Sequence, residues 1–203
     1  MGYTHYLQRP LELENFEKTA KAVEECYKIV RSFGIDIVGG HGEPDTKPEF
    51  SSERIWFNGS EKQTPGVWTA EGDFGIVWPS DKKNPITVST SPVNGQWFGG
   101  AMLEKRVAPN CDGSYETLHI PRTYEVNEWS EADSSGNYFE FCKTAYRPYD
   151  LLVMCAYLAT RYYDRRCVVS SDGESIEWQI AVGILSKVLS DTENLIWKLL
   201  KKY

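Results

Sequence analysis

The densest run of chemistry-bearing side chains lies between Cys142 and Asp150, in the segment CKTAYRPYD. Two chemistries fit it. A cysteine nucleophile needs a base and a lowered thiol pKa, and His5, His41 and His119 are the available imidazoles; no spacing ties any of them to Cys142. Anion binding asks for less. Lys143 and Thr144 stand where a strand is expected to run into a helix, and the first N–H groups of a helix lack intrahelical partners. The anion site is the better supported of the two. A second cluster, Ser170-Ser171-Asp172-Gly173, also sits at an expected strand-to-helix turn. Its hydroxyls suit phosphate or ribose, while the plain structural alternative is a helix cap by Ser171 or Asp172, with Glu174 or Glu177 completing a capping box. A third cluster is His5 between Tyr3 and Tyr6, followed by Arg9, with His119 just before Pro121-Arg122. If those two strands pair, aromatic and guanidinium groups line one patch suited to bases and phosphates. A lone strand histidine is more often a hydrogen-bonded structural residue.

Several chemistries lack their signatures. The chain has neither a G-x-S-x-G elbow nor a phosphate-binding GxxxxGK[ST] loop. Its five cysteines, Cys26, Cys111, Cys142, Cys155 and Cys167, form no CxxC pair and no zinc spacing. The loop bearing His41, Glu43 and Asp45 reads as a solvated acidic segment, so neither metal nor cofactor is expected. A net charge of -7 over 203 residues argues against DNA or RNA polymers, whose affinity comes from neutralised phosphates; a small anion held by a few cations in a cleft remains compatible. No apolar run reaches the ~20 residues of a membrane span, and the start of the chain lacks a signal-peptide pattern. Of the aromatic residues, 12 are Tyr and 7 are Trp. These types suit stacking pockets and interfaces as well as a β-rich core.

The elements that must position these residues follow from periodicity. Alternation predicts a strand over Gly2 to Gln8, stopped by Arg9-Pro10. Phe16, Ala20, Val23, Tyr27 and Val30 recur at helical spacing over Asn15 to Phe33, with Asn15 as cap and Gly34 as stop. Short strands are expected at Ile35 to Val38, Glu53 to Asn58, Tyr115 to Ile120, Tyr138 to Phe141 and Cys167 to Ser170. Pro148 is placed to open a helix reaching Tyr163. A further helix carries Ile176, Ile180, Ile184 and Val188, and a short one carries Leu195, Leu199 and Leu200. Between Ser60 and Gly113, turns punctuate short aromatic segments, which reads as a β-rich lobe of hairpins inserted into one domain spanning 1–203. The class is α+β: an antiparallel-dominated mixed sheet with three to four helices on one face.

MGYTHYLQRP at the start, Phe57-Asn58-Gly59, ETLHIPR ending at Arg122, FCKTAYRPYD, and VSSDGE followed by Trp178 together resemble a widespread family of small phage and viral proteins. The likeness leaves out much of Ser60 to Gly113. It extends to the viral anti-CBASS sponge proteins, which sequester the cyclic di- and trinucleotide signals of bacterial defence. That resemblance implies binding without turnover, in the cytoplasm of an infected host cell, with a homo-oligomer left open. On this reading Tyr3, Tyr6 and Tyr149 stack on or bond to bases, and His5 stands in the same aromatic patch. Arg9, Arg122 and Lys143 meet phosphates. Thr144, Ser170, Ser171 and Asn58 donate to phosphate or ribose, and Asp150 or Asp172 reads a base edge. Two alternatives stand beside it: an enzyme acting on a nucleotide or phosphorylated small molecule through Cys142, His5 or His119, and a protein-interaction inhibitor using the lobe at 60–113.

Overall fold

The computed structural model describes residues 3–65, 74–77, 87–89, 102–103, 106–173 and 175–190. Strand β1 (Thr4–Arg9) is the centre of one sheet, with β9 (Tyr138–Lys143) on one side and β10 (Val168–Ser171) on the other, both antiparallel. A second sheet has β4 (Arg54–Gly59) between β2 (Ile37–Val38) and β3 (Glu49–Phe50), with β8 (Leu118–Pro121) also paired to β4. Within the predicted lobe, β5 (Phe74–Val77) pairs β6 (Thr87–Ser89) and β7 (Met102–Leu103). The fold is α+β with antiparallel pairing in all described ladders, divided among three sheets. The expected hairpin segments at Val67-Trp68 and 96–98, and the helix of Leu195 to Leu200, lie outside the described residues.

Among the described residues, three α-helices build the other layer: α1 (Phe16–Ser32), α2 (Asp150–Tyr163) and α3 (Gln179–Leu189). In α1 the expected stripe is buried, with Tyr27 packed at its edge. Gly34 stops it at φ 78°, a backbone conformation that disfavours other residues. Helix α2 is buried on every side from Asp150 to Thr160, because it packs between α1 and α3 and against β1 and β10. A helix apolar all round belongs at the centre of a core, and α2 occupies that place.

Three local expectations are corrected. Asn15 stands at the cap position but in the left-handed region, and its side chain makes no capping bond. Helix α2 begins at Asp150, so Pro148 lies in the turn before it. Asp172 and Ser171 cap no helix. A 3-10 turn over Ser175–Trp178 intervenes before α3, and Asp172 bonds back to β1.

Candidate functional site

Asp150 is the first residue of α2 and is fully buried. Its Oδ1 accepts from His5 Nε2 and Thr144 Oγ1, each at 2.6 Å. Its Oδ2 accepts from Arg106 Nε at 2.8 Å and lies 2.7 Å from Nη2. A carboxylate only accepts, so Nε2 turns its proton toward Asp150, and His5 Nδ1 lies 2.9 Å from Ser171 Oγ. The result is a continuous chain from Ser171 through His5 to Asp150 and Arg106. Strand alternation makes it possible: His5 on β1 stands opposite Cys142 on β9 and Ser171 on β10, all facing α2. Gly173 donates its N–H to Ser171 Oγ at 2.9 Å. A side chain at Gly173 would collide with the Tyr3 hydroxyl and Glu177 Oε2, so this turn requires glycine.

Arg106 reaches this corner through strained backbone. Ala145 and Tyr146 are consecutive non-glycine residues in the left-handed region, with φ 48° and 57°, a conformation that costs energy for L-residues. The reversal stacks the Tyr146 ring on Tyr3 at 3.9 Å and points its carbonyl at the Val107 N–H, 3.2 Å away. Arg106, one residue earlier, is thereby set beside Asp150. Tyr3 is buried, meets His5 edge-on at 4.8 Å, and its hydroxyl has no partner among the described residues. Trp178 closes the other side of the imidazole at 4.9 Å.

Electrostatics explain why so many polar groups sit in a core. Burial pushes the Asp150 carboxyl upward. The His5 and Arg106 charges outweigh it, with hydrogen bonds from His5 and Thr144, and hold the carboxyl well below the usual carboxylate range. Burial also pushes the Cys142 thiol far up, with Glu116 and Asp150 adding to it. Cys142 is therefore the opposite of an activated nucleophile.

The other face of the same sheet is open. Its first row is Lys143, Thr4 and Asp172; the next is Phe141, Tyr6 and Ser170; the third is Phe139, Gln8 and Val168. Phe139 and Phe141 are 52% and 56% exposed, where the sequence pattern predicted half-burial. Tyr6 lies nearly parallel to Phe139 at 5.8 Å, and Phe139 is 6.1 Å from Phe141. Beyond this stripe, Lys143 and Arg147 sit over the Tyr115 ring at 5.7 and 5.8 Å. Neither cation joins an ion pair among the described residues.

The predicted residues therefore divide into three groups. Tyr3, His5, Thr144 and Ser171 meet in the buried corner. Tyr6, Lys143, Ser170 and Asp172 share the open face. The remainder lie elsewhere. Arg9 is buried and donates to the carbonyls of Pro10, Leu11, Pro121 and Arg122. Asn58 bonds the backbone of Gly40, Gly59 and Tyr115. The Tyr149 hydroxyl donates to Glu116 O at 2.6 Å inside the core. Arg122 pairs with Glu12 at 3.0 Å, beside a cavity of about 490 Å³ at the start of α1. The condition that the His5 and His119 strands pair is not met: β8, which carries His119, pairs with β4. The described residues hold no group of three or more metal-ligating side chains, and none of their helices is long and apolar enough to cross a membrane.

Sequence reasoning missed Arg106, Tyr146 and the exposure of Phe139 and Phe141. The alternation of Phe139, Phe141 and Lys143 was the available signal for the last pair; a single arginine after the lobe gave none for Arg106. No protein-family model, curated protein or solved structure matches the chain.

Proposed function

We propose that the protein binds a nucleotide-class anion on the open face of the β10-β1-β9 sheet and sequesters it without turnover. The ligand class is the cyclic di- or trinucleotide, as in a viral counter-defence sponge. One observation carries the reading: an aromatic stripe, half-buried Tyr6 with the exposed Phe139 and Phe141, runs beside two cations, Lys143 and Arg147, that lack carboxylate partners among the described residues. Bases stack on exposed sheet aromatics with ~1–3 kcal/mol per base, and phosphates meet Lys and Arg. A few cations on one face of a protein of net charge -7 favour a small anion over a polymer. A sponge gains from tight ground-state binding alone.

The test is depletion. The protein is mixed with a panel of cyclic di- and trinucleotides, the unbound fraction is measured, and the bound fraction is recovered after denaturation. Depletion with intact recovery is expected, and Phe141→Ala or Lys143→Ala should weaken capture about tenfold, within the range for one lost stacking or charged contact. Depletion of no nucleotide overturns the proposal.

A second reading rests on the hydrogen-bonded chain Ser171–His5–Asp150. It places a hydroxyl, an imidazole and a carboxylate in the order used by serine nucleophiles, with Nδ1 rather than Nε2 facing the hydroxyl. In this reading Ser171 Oγ attacks a phosphoryl or acyl centre as its proton passes to His5 Nδ1; the bond to the leaving oxygen breaks as the imidazolium returns that proton to it, and water, activated by the same imidazole, then releases the covalent adduct. Recovery of cleaved nucleotide, abolished by Ser171→Ala, would select it.

A further inference from the structure

We infer that the open face selects guanine, with Asp172 as the residue that reads the base edge; this rests on the nucleotide-binding reading above. Asp172 is exposed, and two contacts fix its orientation: Tyr6 donates its hydroxyl to Oδ1 at 2.7 Å, and the Thr4 N–H donates to Oδ2 at 3.1 Å. The Asp172 N–H returns a bond to Thr4 O at 3.0 Å, so backbone and side chain are both pinned. No cation pairs with this carboxylate among the described residues. Asp150 is excluded from the role, because both of its oxygens are already engaged in the core.

The carboxylate oxygens keep further lone pairs and present acceptors only. Asp172 lies at the hydroxyl end of the Tyr6 ring, so a base stacked on Tyr6 with its pairing edge toward β10 meets two fixed acceptors. Guanine offers two adjacent donors, N1–H and the N2 amino group. Adenine and cytosine each set a ring-nitrogen acceptor beside their amino donor, which faces a carboxylate oxygen unfavourably. Uracil offers a single N–H between two carbonyls. Lys143, across Thr4 from Asp172, stands on the opposite side of the row for the phosphate.

Calorimetric titration with 5′-GMP, 5′-IMP, 5′-AMP, 5′-CMP and 5′-UMP tests this on the unaltered protein. GMP is expected to bind at least about tenfold tighter than AMP, CMP or UMP, the scale of a hydrogen bond to a charged group. IMP keeps N1–H but lacks the N2 amino group and should fall between GMP and AMP. Asp172→Asn should bring GMP and AMP within about twofold, because GMP loses one of its two acceptors while AMP no longer faces a carboxylate. Equal affinity for GMP and AMP on the unaltered protein overturns the inference and leaves nucleotide binding standing, as does a GMP preference that survives Asp172→Asn. Failure of every nucleotide, together with no depletion of cyclic nucleotides, overturns the binding reading itself.

Discussion

Asp150 faces the Arg106 guanidinium through one oxygen and accepts from His5 and Thr144 through the other, in a site with no solvent. Replacing it by Asn keeps the shape but removes the charge, leaving the Arg106 guanidinium buried and uncompensated. Breaking a buried pair from one side costs about 3–5 kcal/mol, and that loss is expected for Asp150→Asn in urea unfolding. Arg106→Met placed on top of it should cost less than the sum of the two single changes, because the stranded charge is then gone. The pH sign follows from the lowered carboxyl. Asp150 contributes stability that is fully present above its unfolded value of 3.8 and is lost as pH falls toward its folded value. The acid limb of a stability profile should therefore flatten in Asp150→Asn. An unchanged acid limb would show that this carboxylate is not the group whose protonation weakens the fold.

Strand β9 separates two environments by alternation: Phe139, Phe141 and Lys143 face outward, while Glu140 and Cys142 face the helices. Glu140 lies 3.4 Å from the buried Arg9, yet burial outweighs that partner and raises its carboxyl from 4.5 to about 7. The folded protein therefore holds a proton that the unfolded chain has released between those values. Stability from this residue is present below 4.5 and lost as pH rises through 7. Its side chain keeps 15% exposure, so the loss is about 2–3 kcal/mol at ~1.4 kcal/mol per unit. Relative to Glu140→Gln, the unaltered protein should become less stable from pH 4.5 to 8 in thermal melts; parallel profiles would overturn this assignment. Alternation and helical spacing made β1, α1, β9 and α2 legible from sequence. Strand partners were not legible, because the residues that pair β1 with β9 and β10 lie far apart along the chain and no local pattern links them. The corner around Asp150 was half legible. His5, Thr144 and Ser171 stood out by type, but Arg106 arrives through the left-handed pair Ala145-Tyr146, which local propensity does not announce.

At the scale of the whole molecule, α2 is the shared core. It touches α1, α3, β1 and β10, and its first residue anchors the polar corner, so the site and the stability of the fold depend on one element. Leu152 is fully buried on this helix. Leu152→Ala leaves a cavity in the core and should cost about 2–5 kcal/mol. That is a large share of the ~5–15 kcal/mol typical of a domain. Because several elements rest on the same helix, the loss is expected as one shifted transition: far-UV circular dichroism and tryptophan fluorescence should give the same lowered urea midpoint with an unchanged slope. Val126, 56% exposed, serves as the contrast, and Val126→Ala should move the midpoint by no more than about 0.5 kcal/mol. Two separated transitions in Leu152→Ala would mean that the β10-β1-β9 sheet holds together without α2. The open face could then be studied as a unit independent of the buried chain behind it.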